Sequence, residues 1–423
     1  MTADLQALLG VFQRWLHLPD PGPVLVTLGA YAANLMTGDP VWLLLVGPPG
    51  SGKTEILQSL AGEKAVRLVG TITEAGLLSG SPRKERPRGA KGGLLREIGK
   101  FGVVALKDFT SILSMHREGR QRLLAAFREI FDGSWVRILG SDGGLVLPWS
   151  GKLGLLGGVT ETIDRHHEVM STMGERFVLY RMPELDPQEV ARQALRADEQ
   201  SPAMRRELQQ AVSRFLKRCK VSRKPIPACQ EEWLVHLALL VARARSAVER
   251  DGYSREIELV ASTEVPGRIA KSLGRLHAGL RAIGVGEALA RDLACKVGFD
   301  SLPAARRRLI ESLAQAEGPV GLGQLAGHIR LPKTVTRRHL EDLQAHGVVE
   351  AQRCGNEDRW HVTNWTRDRL RALGTVPEMS AVLQPIATEP EASTVPDLSG
   401  ALYIPPSTKD DISGTEDEEA AAC

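Results

Sequence analysis

The segment with the clearest chemical meaning is a glycine-rich run, Gly47-Pro48-Pro49-Gly50-Ser51-Gly52-Lys53-Thr54. In such a run the glycines let backbone N–H groups turn inward around phosphate oxygens. Lys53 offers a positive charge to the β and γ phosphates, and the Thr54 hydroxyl offers an oxygen ligand to Mg²⁺. The helix that we expect to begin there adds the positive end of its dipole. The run therefore predicts a site for ATP and Mg²⁺.

A second candidate for this chemistry is Asp108, which follows the apolar segment 102–106. The acids that hold magnesium and activate water are expected at the end of a strand beside the phosphate loop. Four apolar residues are normally followed there by two acids, whereas this chain offers Lys107 and then Asp108. Asp108 is a candidate to hold the metal together with Thr54 and water, or to polarise the attacking water. If it does neither well, we expect slow turnover; the alternative is that Asp108 only caps the next helix.

The elements that must position these residues are short apolar strands separated by helical segments. Residues 41–46 form a continuous apolar run between turn residues, which is typical of a strand buried on both faces. Residues 134–139 and 144–149 flank Gly140-Ser141-Asp142-Gly143, which indicates a hairpin. Further short strands are predicted at residues 65–69, 102–106 and 153–159. Their alternation with helices predicts an α/β fold with a parallel sheet.

By pattern the chain divides into four predicted regions. Residues 1–185 contain the α/β nucleotide-binding core, which opens with two helices. Residues 186–313 are helical almost throughout, which predicts an all-α lid and connector. Residues 314–370 contain two helices followed by a small hairpin, which is the outline of a winged helix. Residues 371–423 are rich in Pro, Ser, Thr and acids and are predicted to be a disordered acidic tail.

Composition is that of a globular protein, with 43% hydrophobic and 25% charged residues in a chain of 423. No apolar stretch reaches the roughly 20 residues that a membrane helix needs, and the first residues lack the basic flank of a secretory signal. We therefore expect a cytoplasmic protein with no membrane partner. The five cysteines show neither CxxC pairing nor histidine partners at zinc spacing, so we expect reduced thiols and no structural metal.

The net charge of +3 conceals an asymmetry between body and tail. From residue 376 to the end there are ten acids against the single Lys409, a net charge of −9, which leaves +12 on the rest of the chain. A basic body with an acidic tail suits a polyanion, and DNA is the expected partner. The alternative is a mildly basic protein without such a partner.

One basic segment that is a candidate for DNA contact lies between the predicted strands of the core. Residues 79–100 are rich in glycine, proline and cations but lack the aromatic residues that stack on single-stranded bases. We expect contact with the phosphate backbone through charge, and binding that weakens steeply as salt rises. The alternative is a solvated loop. The candidate residues are Arg83, Lys84, Arg86, Arg88 and Lys91.

A second basic segment lies in the predicted winged helix, where residues 334–345 form the candidate recognition helix. The start of this helix and the turn of the wing are both basic, so they are expected to reach a groove or adjacent phosphates. Winged helices also serve as protein-interaction modules, which is the alternative. The candidate residues are Lys333, Arg337 and Arg338 on the helix and Arg353 and Arg359 beside the wing turn.

Taken in order, the core motifs resemble those of the AAA+ ATPases, and within them the helicase clade that contains the minichromosome-maintenance motors. Residues 102–109 resemble the second nucleotide motif of this clade, with Lys107 where its first acid is expected. The predicted hairpin at 134–149 resembles the hairpin that this clade inserts before its first sensor. The resemblance implies that Thr160 occupies the sensor position and detects the γ-phosphate.

The resemblance also assigns roles to two arginines. Residues 173–177 resemble the step that carries the arginine finger, here Arg176, for which Arg181 is a possible substitute; either residue could instead be an ordinary surface arginine. A finger stabilises transition-state charge at a neighbour's γ-phosphate, which implies a homo-oligomeric ring or filament. Residues 265–268 resemble the start of the lid helix, with Arg268 as its second sensor arginine.

The resemblance covers residues 20–365 and implies an ATPase that acts on DNA. The expected function is that of a helicase-like motor, a replication initiator or a helicase loader, including one from a mobile element, with a replication or helicase protein as partner. The alternative is an ATP-controlled DNA-binding regulator with slow or absent hydrolysis, which Lys107 favours. A third reading is a chaperone-like protein of the same class, which predicts no DNA binding.

Overall fold

The computed structural model describes residues 1–79, 92–139, 145–167, 175–197, 200–219, 221 and 232–374. The first half contains, in chain order, α1 (Ala3–Trp15), α2 (Gly22–Leu35), β1 (Trp42–Val46), α3 (Lys53–Gln58), β2 (Val66–Val69), α4 (Glu74–Leu77), α5 (Leu94–Ile98), β3 (Phe101–Leu106), α6 (Thr110–Leu113), α7 (Arg117–Phe131), β4 (Ser134–Leu139), β5 (Leu145–Ser150), β6 (Lys152–Val159) and β7 (Phe177–Arg181). Two short 3-10 helices lie at Ser59–Gly62 and Glu161–His166.

The second half contains mainly helices. In chain order its elements are α8 (Pro187–Ala197), α9 (Ser201–Arg218), α10 (Glu232–Arg245), β8 (Val248–Arg250), β9 (Ile257–Val260), α11 (Gly267–Ala282), α12 (Glu287–Asp300), α13 (Ala304–Gln315), β10 (Val320–Gly321), α14 (Leu322–Ile329), α15 (Lys333–Ala345), β11 (Val349–Cys354), β12 (Glu357–Val362) and α16 (Asn364–Ala372). No helix in the described part of the chain combines the length and apolarity needed to cross a bilayer.

The centre of the first half is a parallel sheet of five strands in the order β2-β3-β6-β1-β7. The register pairs Val46 of β1 with Val159 of β6 on one side and with Arg181 of β7 on the other. On the far side of β6, Leu106 of β3 lies opposite Gly157. The mixed α/β class and the parallel sheet are therefore confirmed. The strands read as apolar runs because helices cover both faces of the sheet.

Successive residues of β1 show how the two faces are filled. Leu43 and Leu45 pack into the core that contains α1, α2 and α11, whereas Trp42 and Leu44 pack into the core that contains α7. The Trp42 ring meets the ring of Phe127 edge to face, with centroids 5.5 Å apart. This alternation follows from the period of two along a strand. It makes the sheet the central layer between two layers of helices.

The predicted hairpin of the core is confirmed as β4 and β5, which pair antiparallel. Trp135 and Trp149 lie opposite each other and are buried, while Ile138 on the other face is 70% exposed. The predicted turn at residues 140–143 lies outside the described residues. The buried face attaches the hairpin to the core through Trp149, whose indole N–H donates to the Gly99 carbonyl at 2.9 Å.

The region predicted as an all-α lid and connector differs from that expectation in one element. β8 and β9 form an antiparallel hairpin between α10 and α11. Its turn is stabilised by Asp251, whose Oδ1 accepts the N–H groups of Tyr253 and Ser254 at 2.9 and 2.6 Å. The Asp251-Gly252 pair is a hairpin signal that the dominant helical pattern obscured. The helical prediction is therefore wrong for residues 248–260.

The helix α11, predicted to belong to the lid, packs against α2 of the core. The approach is close enough that a Cβ added at Gly279 would lie 2.0 Å from the Gly29 carbonyl oxygen. Only a glycine fits at this crossing. The helix is thus part of the same packed unit as the sheet, with the buried α2 between them.

The C-terminal region contains the predicted two helices and hairpin, with additions at both ends. α14 and α15 are followed by β11 and β12, and the short β10 joins β12 to complete a three-stranded sheet. α13 packs against α14 and α15. The predicted boundary between residues 370 and 371 falls inside α16, and residues 375–423 of the predicted tail lie outside the described residues.

Candidate functional site

The phosphate-loop residues leave the sheet at the carboxyl end of β1. The Gly47 N–H donates to the Val159 carbonyl of β6 at 3.1 Å, which fixes the base of the loop. Gly50 and Gly52 adopt φ angles of 80° and 81°, a region that side-chain-bearing residues rarely occupy. Thr54 follows in the first turn of α3. The loop therefore has the strand before it and the helix after it that the sequence predicted.

The side chain of Lys53 is folded into this loop and is only 8% exposed. Its Nζ donates to the Gly47 and Pro48 carbonyl oxygens at 2.8 and 2.6 Å, and to Ser51 Oγ at 3.0 Å. Burial lowers the pKa of Lys53, and the charges of Asp108 and Glu161 oppose that change. Lys53 is thus a buried cation inside the loop, with two carboxylates within its electrostatic range.

Asp108 lies at the same edge of the sheet, one residue beyond the exposed Lys107. Its Oδ1 accepts the Thr110 N–H at 2.8 Å, at the start of α6. The N-cap residue of α6 is Phe109, so this bond joins Asp108 to the first residue of the helix, and the exposed carboxylate retains further oxygen lone pairs for another ligand. The bond to the Thr110 N–H and metal binding are compatible at this residue.

Two threonine hydroxyls contact the predicted sensor, Thr160. The Thr160 N–H donates to Thr110 Oγ1 at 3.1 Å, and the two hydroxyl oxygens are 3.3 Å apart. Thr160 Oγ1 is also 2.6 Å from Thr162 Oγ1. The end of β6 is consequently tied to the residues that follow β3.

Glu161 is a residue of this edge that the sequence reasoning missed. It is exposed and follows Thr160 directly, at the start of the 3-10 helix Glu161–His166. The signal that would have found it is an acid immediately after the strand that neighbours the phosphate-loop strand. The edge thus carries two acids on two different strands, Asp108 after β3 and Glu161 after β6.

The oxygen ligands at this edge suit a magnesium ion that is bound together with a nucleotide. The Thr54 hydroxyl and the Asp108 carboxylate are the hard oxygen donors that Mg²⁺ prefers, and Mg²⁺ usually takes one or two carboxylates plus substrate phosphates. Among the described residues no group of three or more His, Cys, Asp or Glu side chains is placed to hold a metal ion. The hydroxyl and carboxylate oxygens at this edge are thus donors of the type that Mg²⁺ takes in proteins.

Arg176 and Arg268 lie at the opposite edge of the sheet. Arg176 precedes Phe177, which is paired with Trp42 at the start of β1. Helix α11, which begins beside Arg268, approaches the residues before β1 through an ion pair of Lys271 with Asp39 at 3.2 Å. Because β1 has five residues, this edge is about 16 Å from the phosphate loop. Neither arginine is placed to reach the phosphate site of its own chain.

The side chain of Arg176 faces its own chain in this structure. Its Nη2 is 2.8 Å from Asp132 Oδ2, and its guanidinium lies over the Phe131 ring at 5.5 Å. Burial lowers the pKa of Arg176, the bond to Asp132 opposes this, and the neighbouring charge of Arg268 adds to the lowering. The two predicted arginines are therefore neighbours. Action on another subunit requires Arg176 to exchange Asp132 for a phosphate.

Arg181, the predicted substitute for Arg176, occupies a different environment. Its guanidinium makes two bonds to the Asp164 carboxylate, at 2.8 and 2.7 Å, and a third to the Leu302 carbonyl at 2.9 Å. Such bidentate pairing is among the stronger side-chain interactions. This residue joins the end of β7 to the 3-10 helix Glu161–His166 and to the segment after α12.

The second candidate interface is the exposed side of α15 with the adjoining wing. Lys333, Arg337 and Arg338 are exposed, whereas Leu340 and Leu343 are buried beneath them. A cleft of about 280 Å³ separates the start of α15 from the wing. Its lining includes the basic residues Lys333, Arg337 and Arg353, the acidic residues Glu357 and Asp358, and the N-terminus of α14.

The wing carries the other two predicted contacts. Arg353 in β11 pairs with Asp358 of β12, with 3.0 Å between Nη1 and Oδ1, and Arg359 is exposed in β12. Lys333, Arg337 and Arg353 are thus brought together around the cleft, whereas the strand register places Arg359 on the other face of the wing from Arg353. The basic-loop candidates Arg83, Lys84, Arg86, Arg88 and Lys91 lie outside the described residues.

Residues 308–353 match the family of the IclR helix-turn-helix domain. The match begins within α13 and ends within β11, so it includes the turn between α14 and α15 and the start of the wing. The C-terminal helix-turn-helix, predicted as a winged helix, is therefore confirmed as a DNA-binding type of domain. No curated protein matches the chain.

The helix-turn-helix domain is attached to the preceding region by buried ion pairs behind α15. Arg306 of α13 is 4% exposed, and its Nη2 is 3.0 Å from Asp342 Oδ2 on α15. Asp342 Oδ1 is 2.6 Å from Arg250 Nη2 in β8. Arg306 also donates to the Ser246 carbonyl after α10, at 2.7 Å. These contacts fix the orientation of α15 relative to the β8–β9 hairpin.

Proposed function

We propose that the protein is an ATP-controlled DNA-binding regulator, in which an AAA+ type core binds ATP and the helix-turn-helix domain binds duplex DNA. The observation that carries the proposal is the exposed basic side of α15 in a segment that matches a helix-turn-helix family. A recognition helix needs solvent-exposed cations and polar groups on one side and an apolar opposite side. α15 has both.

The cleft between α15 and the wing supports phosphate contact by the same domain. Lys333 and Arg337 approach it from the helix and Arg353 from the wing, against the two acids Glu357 and Asp358, and the N-terminus of α14 adds backbone N–H groups. Contacts of this kind position a protein on the duplex without reading sequence. We expect neutralised phosphates to make binding strongly dependent on salt.

The nucleotide half of the proposal rests on the carboxyl edge of the sheet. A glycine-rich loop between β1 and α3 is the usual place for a triphosphate, because backbone N–H groups and the helix end converge there. Lys53 would transfer its bonds from the Gly47 and Pro48 carbonyl oxygens to phosphate oxygens. Thr54 and Asp108 would hold magnesium, which when bound neutralises charge between the β and γ phosphates. Thr160, tied to Thr110, would detect the γ-phosphate.

Slow hydrolysis is part of this proposal because of Lys107. An ammonium replaces one of the two acids expected after β3, so a base for the attacking water is weakened or missing. ATP would then act mainly by being bound. We propose that bound ATP changes the assembly state of the protein, and through it the number of helix-turn-helix domains that contact one DNA molecule.

A second candidate function is a working ATPase motor, initiator or helicase loader that forms a homo-oligomer on DNA. The observation that favours it is the position of Arg176 and Arg268 together at the edge opposite the phosphate loop. Subunits stacked head to tail would bring this edge of one copy towards the loop of the next. A replication or helicase protein would then be the natural partner.

Fluorescence anisotropy with a labelled duplex, at several salt concentrations and with or without ATP and Mg²⁺, tests the regulator. The wild type should bind DNA with an affinity that changes when ATP is added. Arg337→Ala should weaken binding and reduce the salt slope by about 1. Lys53→Ala should keep the ATP-free affinity and lose the response to ATP.

The matched control for Arg337→Ala is Arg122→Ala. It removes a surface arginine of α7, which lies outside the helix-turn-helix domain. Its DNA affinity should equal that of the wild type. Absence of duplex binding, or binding that is indifferent to ATP, would refute the regulator. DNA-stimulated ATP hydrolysis that disappears in both Lys53→Ala and Arg176→Ala would instead favour the motor.

A further inference from the structure

Glu161 follows β6, one of the two strands directly beside the strand that carries the phosphate loop. β6 lies between β1, which carries the loop, and β3, which ends before Lys107 and Asp108. The Gly47 N–H donates to the Val159 carbonyl, so Glu161 is two residues beyond a direct hydrogen bond to the base of the loop. In the order of the sheet, this acid is closer to the loop than Asp108.

The backbone that presents Glu161 is held on its N-terminal side. Thr160 donates its N–H to Thr110 Oγ1 at 3.1 Å, and its hydroxyl lies 2.6 Å from that of Thr162. Because Thr110 follows Asp108 closely in the chain, the same contacts fix the segments of both acids relative to each other. Side chains supported in this way are suited to a defined site.

The carboxylate of Glu161 is available for a ligand. In the part of the chain that the structure describes, it has no hydrogen-bond or ion-pair partner, whereas the next acid, Asp164, is bound to Arg181 at 2.7 Å. The negative charge of Glu161 nevertheless acts on Lys53 in the loop and on Arg181 at the end of β7. Glu161 thus lies at the carboxyl edge of the sheet, within electrostatic range of Lys53 and Arg181.

We infer that Glu161 is the second carboxylate of the nucleotide site and faces the magnesium ion that accompanies ATP. It replaces the acid that is expected after β3, where this chain has Lys107. The inference rests on the proposed binding of ATP and Mg²⁺. Asp108 already accepts the Thr110 N–H at 2.8 Å, and Glu161 adds a second carboxylate without such a bond, within the one or two carboxylates that Mg²⁺ usually takes. The acid that is absent at position 107, after β3, is then supplied by the residue that follows the neighbouring strand β6.

The experiment titrates Mg²⁺ into each protein with a fluorescent ATP analogue and measures the midpoint of the rise in nucleotide affinity. It also measures affinity for the analogue in EDTA. Glu161→Gln should raise the magnesium midpoint by about tenfold or more, which is the range for weakened metal-ligand shells. In EDTA its affinity should be unchanged or tighter, because a negative charge near the phosphates has been removed. Damage to the fold would weaken binding in both conditions.

The control is Glu258→Gln, an exposed acid of β9 in a different sheet, which should behave as the wild type in both measurements. Asp108→Asn should raise the magnesium midpoint in the same way as Glu161→Gln. A Glu161→Gln midpoint equal to that of the wild type would overturn the inference, as would an equal loss of affinity with and without Mg²⁺. If the wild type itself fails to bind the analogue, the proposed ATP site is refuted and not the assignment of Glu161 alone.

Discussion

At the scale of single residues, Lys107 and Lys53 differ in their exposure to solvent. Lys53 is buried in the loop and bonded to three oxygens, whereas Lys107 is exposed at the end of β3. In the proposed function, the first residue provides a charge for phosphate and the second takes the position of an expected acid. The proposal of ATP binding without rapid hydrolysis rests on this pair of residues.

Replacing Lys107 with glutamate tests the proposal that this lysine makes ATP hydrolysis slow. Lys107→Glu supplies an acid at the position where two are normally found, and general bases contribute typically 10²- to 10⁴-fold to such reactions. We expect the steady-state rate of ATP hydrolysis to rise at least tenfold. Lys64→Glu, the same charge change at an exposed residue after α3, should leave the rate unchanged. Equal rates in the wild type and Lys107→Glu would show that this lysine does not limit hydrolysis.

His339, on the inner side of α15, predicts acid sensitivity of the fold. Burial lowers its pKa, the charge of Arg306 lowers it further, and Asp342 acts in the opposite direction. Because the folded-state pKa lies below the unfolded value of about 6.5, the unfolded chain takes up the proton first as pH falls. The contribution to stability is therefore present above pH 6.5 and is lost below it.

His339→Leu should remove this part of the pH dependence. Nδ1 of His339 is buried without a hydrogen-bond partner among the described residues, so leucine replaces an unsatisfied polar group with an apolar one. We expect the thermal midpoint of the wild type to drop between pH 7 and pH 5.5 by more than that of the variant. Parallel curves for the two proteins would show that His339 does not couple protonation to folding.

At the scale of elements, the orientation of α15, the candidate recognition helix, depends on charges buried behind it. Asp342 accepts from Arg306 of α13 and from Arg250 of β8 at 3.0 and 2.6 Å. The helix-turn-helix thus has a fixed attachment to the β8–β9 hairpin. Removal of one charge from such a group leaves the others buried and uncompensated.

Asp342→Ala should destabilise the protein by about 3 to 5 kcal/mol, the usual cost of breaking a buried ion pair. The double variant Arg306→Met with Asp342→Leu should recover most of this loss, because two apolar side chains replace the pair and Arg250 keeps Glu341 at 3.1 Å. Urea unfolding at pH 7 gives the free energies. Additive losses in the double variant would exclude a coupled pair.

At the scale of the whole molecule, the candidate ATPase residues are divided between the two edges of the sheet. The carboxyl edge carries the loop and acids, and the amino edge carries Arg176 and Arg268 about 16 Å away. A site that uses all of them requires two copies. The trans role of Arg176 stays a prediction, since its guanidinium is bonded to Asp132 in this structure.

Mixing two inactive variants tests whether sites are shared between subunits. Lys53→Ala removes the cation of the loop, and Arg176→Ala removes the arginine at the opposite edge of the sheet. Each homo-oligomer should therefore lack ATPase activity. In a mixture, some interfaces combine the intact loop of one subunit with the intact arginine of the other. ATP hydrolysis should then exceed the sum of the separate rates. A mixture no more active than its components would indicate that each chain forms its site alone.

The sequence by itself determined the features that depend on local pattern. Glycines, a lysine and a threonine at defined spacing predicted the loop at residues 47–54, and apolar runs predicted the strands of the sheet. The recognition helix was readable because its cations and its buried leucines alternate with helical period. These are properties of neighbouring residues in the chain.

Only the tertiary structure decided which distant residues meet. The strand order placed Glu161 between the loop and Asp108, and no local pattern specifies strand order. The tertiary structure also placed Arg176 beside Arg268. It buried Arg306 against Asp342, although these two residues are 36 positions apart in the chain. The β8–β9 hairpin depended on one Asp-Gly turn within a helical region. Contacts between elements arise from packing, which the periodicity of a single segment does not encode.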